Sequence, residues 1–220
     1  MTTATAVKET PLLMQGPLVC AVIEDRKTKT RRLRGLELIN ESPDNWAFDG
    51  FADGDDSLAM FHTLDRQHTH QVRCPYGGPG DRLWIRERFQ IGAIIAGACE
   101  GNSYVNFPDG GQKYRDGAYY APQGDTRYAP EKQKWKPSIH MPRWASRLTL
   151  EITDVRVERL RDISPEDAFA EGINDPDGKL GWAPSAAPAA FGELWDEING
   201  EGSWKSNPWV WVVTFRRLSR

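Results

Sequence analysis

Residues 26–32 read Arg26-Lys27-Thr28-Lys29-Thr30-Arg31-Arg32, cations interleaved with two hydroxyls. Such a run can grip phosphate, stabilise a developing oxyanion or, if one lysine gives up its proton, supply a base. A lysine ordinarily titrates near ~10.4, but the like charges around Lys27 favour its neutral form. Thr30 stands three residues on. In a helical turn that spacing puts its hydroxyl on the face of Lys27, and a tight loop also permits the approach. A threonine hydroxyl needs such a base before it attacks an amide carbonyl. Charge runs are also commonly solvated loops, and the run by itself leaves that reading open.

Other residues could join this chemistry. Glu87 shares a strand face with Leu83 and Ile85. It is expected either to point inward at the basic run or to serve as a structural ion-pair partner. Trp135 and Trp144 could stack on bases, or simply pack. His62, His68, His70 and Cys74 form a loose cluster with no second spaced pair, so no metal is expected. No glycine-rich loop follows a strand in the Rossmann or P-loop manner, which argues against a bound nucleotide cofactor.

The bulk properties frame these residues. The chain has 220 residues, 39% hydrophobic and 27% charged, enough for one medium domain with a real core. A formal net charge of -3 does not fit a general polyanion binder, so any nucleic-acid contact must come from a local basic patch. Cys20, Cys74 and Cys99 lie far apart, which argues against a disulfide framework and for a reduced setting. The N-terminus lacks the pattern of a signal peptide, and no apolar run is long enough to span a bilayer. The cytoplasm is the expected location, with no membrane partner.

The elements that must hold the basic run follow from periodicity. Residues 1 to about 10 read as a frayed tail. Gly16-Pro17 opens a short helix carrying Leu18, Val19, Val22 and Ile23. Residues 35–72 are acidic and rich in turn formers, with Asp49-Gly50 and 52–56 read as loop around a short hairpin. Gly80-Asp81 delivers a strand at 82–89. Residues 100–145 are expected to be loops with short strands, and 100–135 a lid. The strand from Arg147 slips phase near Thr153-Asp154, which predicts a β-bulge. Ser164-Pro165-Glu166-Asp167 starts a helix that Gly172 stops. A second helix over 187–198 aligns Phe191, Leu194, Trp195 and Ile198 as a core-facing stripe. Residues 208–215 form a strand apolar on both faces, hence central. The order predicts an α+β fold.

From Asp25 to Arg32 the sequence resembles the signature of ASCH domains, a helix end followed by G-x-K-x-x-(E/T)-x-R. Lys27, Thr30 and Arg32 match its Lys, Thr and Arg, and Asp25 stands where the pattern has Gly. The strand after Gly80-Asp81, the strand at 147–157, the segment 162–171 and the aromatic C-terminal strand are similar to the family in their order. The resemblance covers about half of the chain. It leaves one domain over 11–220 with insertions at about 36–72 and 90–145. The stretch from Trp135 to Trp144 resembles long ASCH proteins of temperate phages and prophages. The resemblance implies a PUA-like β-barrel with flanking helices and long inserted loops, similar to domains that bind RNA. Some small members hydrolyse the amide of N4-acetylcytidine, with a Lys as base, a Thr as nucleophile and a Glu as proton donor. These roles would fall on Lys27, Thr30 and Glu171. Glu171 suits a donor, because it ends a helix whose dipole disfavours a carboxylate there. Arg26, Lys29, Arg31, Arg32, Glu87, Trp135 and Trp144 would hold the substrate, a nucleoside or single-stranded or structured RNA. Two other functions use the same pocket: an RNA- or modified-base-binding module without catalysis, and a ribonuclease.

Overall fold

The computed structural model describes residues 6–93, 103–107, 112–114, 119–120, 135–173 and 184–218. In chain order its elements are strand β1 (Glu9–Leu13), helix α1 (Gly16–Ile23), strand β2 (Lys29–Arg32) and helix α2 (Glu37–Asn40). Strands β3 (Trp46–Ala52), β4 (Asp55–Thr63), β5 (Thr69–Arg73), β6 (Arg82–Arg86) and β7 (Gln90–Ala93) follow. Then come β8 (Ser103–Asn106), β9 (Gln112–Tyr114), β10 (Tyr119–Tyr120) and β11 (Thr149–Arg159). Helices α3 (Pro165–Ala170) and α4 (Ala187–Asn199) precede the last strand, β12 (Trp209–Arg217). The fold is α+β.

The main sheet has the order β1-β6-β11-β12-β2, with β1 and β6 parallel and the other pairs antiparallel. Strand β12 is interior to it because both of its faces are apolar. Trp211 and Val213 enter a core shared with α1, α2 and β3–β5, whereas Val210 and Val212 enter a second core with Phe191 and Trp195 of α4. A period of two sends successive side chains to opposite faces, so a run apolar at every position fits only where both faces are covered. Strand β11 carries the expected irregularity: its register against β12 shifts between Ile152 and Asp154. No sheet closes on itself among the described residues.

Several expectations are corrected. The segment expected as a tail contributes β1 from Glu9: Thr10 and Leu12 are buried, Glu9 pairs with Arg82, and Lys8 N–H donates to Asp81 Oδ1 at 2.8 Å. Residues 36–72 are not mainly loop. They form α2 and the antiparallel sheet β3-β4-β5, with Asp49-Gly50 inside β3 and the turn at Asp53-Gly54. Along β4 the side chains of Ser57, Ala59 and Phe61 are buried in alternation, a half-buried strand pattern hidden among polar neighbours. Phe61 and Val72 join the same core as Leu83, Leu150 and Trp211, so this unit belongs to the main body. The strand after Gly80-Asp81 ends at Arg86 rather than 89.

Candidate functional site

Helix α1 delivers the basic run to the edge of the main sheet. The chain leaves α1 through Asp25, whose φ of 56° lies in the left-handed region. Asp tolerates that conformation better than most side chains. Arg217 holds its carboxylate at 2.9 and 3.1 Å. Arg26 and Lys27 N–H both donate to Ala21 O, Thr28 N–H donates to Ala170 O at 2.8 Å, and Phe215 N–H donates to Thr28 O at 2.9 Å. The loop is therefore clamped among α1, α3 and β12 before it becomes β2.

Helix α3 brings the acid. Ser164 caps it, accepting from Asp167 N–H, and Glu171 ends it at Gly172, where φ is 95°. A Cβ on Gly172 would stand 3.1 Å from Ala21 Cβ and 3.3 Å from Lys27 Cβ. The glycine thus serves both the reversal and the approach of Glu171 to Lys27.

Lys27 and Glu171 are 2% and 3% exposed, which makes their contact a buried ion pair rather than a surface one. Lys27 Nζ donates to Glu171 Oε2 and to Glu171 O, each at 2.7 Å. Burial pushes the Lys27 ammonium below its usual range; Glu171 pulls it back up, and Arg32 and Arg31 add to the lowering. Arg31 Nη1 donates to the other Glu171 oxygen at 3.1 Å. Burial opposes the charge of Arg31, but Glu171, Glu158 and Asp167 outweigh it and hold the guanidinium above its ordinary value.

These residues line a cavity of about 70 Å³, small beside the ~300–1,000 Å³ usual for small-ligand pockets. Lys27, Thr30, Arg31, Arg32 and Glu171 form its polar side, and Leu18, Phe191, Leu194, Trp195 and Ile198 its apolar wall. The structure therefore brings Lys27, Thr30 and Glu171 together, with Thr30 on an extended strand rather than in a helical turn. Thr30 is 3% exposed, and Lys27 Nζ reaches Glu171 rather than the Thr30 hydroxyl. The α4 stripe is core at Phe191 and Trp195, but its Leu194 and Ile198 face this cavity and Ile198 is 40% exposed. Its role as a wall is missed by periodicity, which reports an apolar face but not what lies opposite. Trp195 Nε1 and Arg32 Nε are buried donors without a partner among the described residues.

Of the other candidates, three are committed to carboxylates. Arg26 pairs with Glu24 at 2.5 Å and also reaches Gly172 O at 3.4 Å. Lys29 pairs with Asp167, and Arg31 with Glu158, Asp167 and Glu171. They build the site more than they offer themselves to a ligand. Glu87 does not face the basic run. Its buried carboxylate meets Arg147 at 2.7 and 2.8 Å, and the Arg147 guanidinium lies 4.1 Å from the Phe107 ring centroid. Trp144 packs on the small core of Trp84, Phe89, Phe107, Met141 and Ala145. Trp135 lines a second cleft beside the cavity, with Arg88 5.9 Å from its ring centroid.

Among the described residues no three His, Cys, Asp or Glu side chains gather as a metal set; Cys74 is fully buried and His62 is held by Asp49. No helix among them is long and apolar enough to cross a membrane. The lid expected over 100–135 falls mostly outside the described residues. No family model, curated protein or solved structure matches this chain.

Proposed function

We propose that the protein is an amidohydrolase acting on an N4-acylated cytidine-type nucleoside, on an ASCH-type, PUA-like scaffold. The observation that carries the reading is the convergence in one cavity of Lys27 and Thr30, from the loop into β2 and β2 itself, with Glu171 from the end of α3. The scaffold reading draws on α1 leading into β2, the bulged β11, the capped α3 and the central aromatic β12, all in the order the resemblance implies.

In this reading neutral Lys27 takes the proton of the Thr30 hydroxyl as its oxygen attacks the acyl carbonyl. The tetrahedral oxyanion is stabilised by Arg32. The 2.7 Å hydrogen bond from Lys27 to Glu171 offers a path for that proton to the carboxyl, which delivers it to the departing N4. The acyl–nitrogen bond breaks, an acyl–Thr30 ester remains and the amine leaves neutral. Water then attacks the ester with Lys27 again as base, releasing the carboxylic acid and restoring the hydroxyl.

Incubation with N4-acetylcytidine, followed by acetate release and cytidine formation, tests this. Turnover by the wild type and its loss in both Lys27→Ala and Thr30→Ala are expected. A folded wild-type protein without turnover would overturn it. One observation favours a second reading, a binding module: Lys27 Nζ is already engaged twice by Glu171. Tight binding of N4-acetylcytidine without hydrolysis would select it.

A further inference from the structure

A second cleft of about 750 Å³ lies beside the small cavity, and Leu18, Arg32 and Ile198 line both. Its volume falls within the ~300–1,000 Å³ usual for a small-molecule site. Its body is apolar, with Leu13, Met14, Leu18, Trp135 and Ile198 in the wall. Leu13 and Ile198 stay 44% and 40% exposed, large side chains left to water unless something covers them. Its charge is of one sign. Among the described residues no Asp or Glu lines it, whereas Arg32 and Arg88 do, in a chain of net charge -3. Arg32 is the cation of the run 26–32 that no carboxylate pairs among the described residues. Arg26, Lys27, Lys29 and Arg31 each have such a partner, and Arg32 donates from Nη2 to Leu13 O at 2.9 Å. Burial pushes its guanidinium below the ordinary range, and Tyr76 and Glu171 pull it back only in part. Helix α1 also opens onto this cleft, at Gln15 and Gly16, with no side-chain cap and no acid in its first turn. Such a helix end favours a negative partner.

An apolar cleft with an unneutralised cation in one wall matches an amphipathic anion. An apolar chain would take Leu13 and Ile198 out of water, and a carboxylate fits the planar fork of an arginine. We propose that this cleft is a binding site for an apolar monocarboxylate of medium chain length, its carboxylate on Arg32 and its chain along Leu13, Met14 and Ile198 toward Trp135. Arg88, exposed and 5.9 Å from the Trp135 ring centroid, adds attraction for the anion from the far side. A polyanion is a poorer match, because most of the lining side chains are apolar. The site does not depend on the amidohydrolase reading. Under that reading the acid released at Thr30 comes to rest beside Arg32, so the ligand has the chemistry of an acyl product.

Titration calorimetry of the full chain with octanoate, butyrate and octanamide tests this without any turnover. Each buried methylene is worth about fourfold in affinity, so octanoate should bind at least about tenfold tighter than butyrate. A charge-assisted hydrogen bond is worth about tenfold or more, so octanoate should also bind at least about tenfold tighter than octanamide. Octanoate that fails to bind at millimolar concentration overturns the proposal. Parity with butyrate removes the chain and parity with octanamide removes the carboxylate, and either result overturns it as well. Arg32→Gln should weaken octanoate at least about tenfold, and unchanged affinity in that variant overturns the placement on Arg32. If Arg32→Gln does not fold, Leu13→Glu decides, since Leu13 is exposed on an edge strand. A carboxylate set into the acid-free cleft should weaken octanoate at least about tenfold, and unchanged binding overturns the site. The amidohydrolase reading stands or falls separately, on acetate release.

Discussion

Thr30 is buried in the cavity wall, and its side chain has no hydrogen-bond partner among the described residues. Replacing an unbonded hydroxyl by a methyl of similar size is nearly neutral for folding. Thr30→Val should therefore abolish acetate release while changing unfolding free energy by less than about 1 kcal/mol in urea melts; loss of both together would mean that Thr30 is structural. Glu171 is the opposite case. Truncating one partner of a buried ion pair leaves charges uncompensated and typically costs about 3–5 kcal/mol. Glu171→Ala strands Lys27 and takes one of three carboxylates from Arg31, so it should fall in that range, and a double-mutant cycle with Lys27→Met should recover part of the loss. The lowered Lys27 also sets a pH profile. A base works when unprotonated, so kcat/KM should rise with pH along a limb centred below the ordinary 10.5. Arg32 contributes to that lowering, so Arg32→Gln should move the limb to higher pH. A limb that stays put or moves down would remove Lys27 as the titrating base.

The elements around the site are held by a few local devices. Gly172 combines a φ of 95° with an approach that would hold a Cβ tightly, 3.1 Å from Ala21 Cβ and 3.3 Å from Lys27 Cβ. Gly172→Ala should destabilise by about 1–3 kcal/mol, from backbone strain and the contact together. It should also lower turnover more than a surface substitution of equal stability cost, because it pushes on Lys27 itself; equal turnover in the two would separate this turn from the chemistry. Ser164 caps α3 by accepting from Asp167 N–H at 3.1 Å, and its hydroxyl is exchangeable for about 1 kcal/mol of helix stability. Both features were legible beforehand, as a Ser-Pro-Glu-Asp start and a glycine stop, because capping depends on residues within one turn.

Across the molecule, one carboxylate ties the site to the sheet. Burial would raise the Asp167 carboxyl, but hydrogen bonds from Lys29, Arg31 and Arg156 outweigh it and hold it down at about 2. Its folded value lies below the ordinary 3.8, so its contribution is fully present above about pH 4 and is lost as pH falls through 2. Allowing for solvent screening, the contribution is on the order of 1 kcal/mol. Asp167→Asn should lose less stability than the wild type between pH 5 and pH 2 in urea melts, and parallel losses would mean that other acids dominate. The charge distribution follows the same division. Lys29 and Arg31 are spent on carboxylates, while Arg32 lines both cavities, so a basic run in sequence becomes an interior network with one cation on the cavity wall.

The sequence by itself determined the local grammar: a Gly-Pro helix start, the bulge in β11, the capped α3, the doubly apolar β12 and the motif of Lys27, Thr30 and Arg32. Each is read from spacing along a short segment. Tertiary structure alone decided which charges meet. Of the two roles Glu87 offered, the structural ion pair is the one formed, and its partner Arg147 comes from a segment 60 residues away. Ile198 looked like core yet opens onto both cavities. The sheet β3-β4-β5 was obscured because its buried alternation is interleaved with polar residues, and only its packing on Leu83 and Trp211 distinguishes strand from loop. Periodicity tells which face is apolar. The partner on that face is set by long-range chain return, which no local window contains.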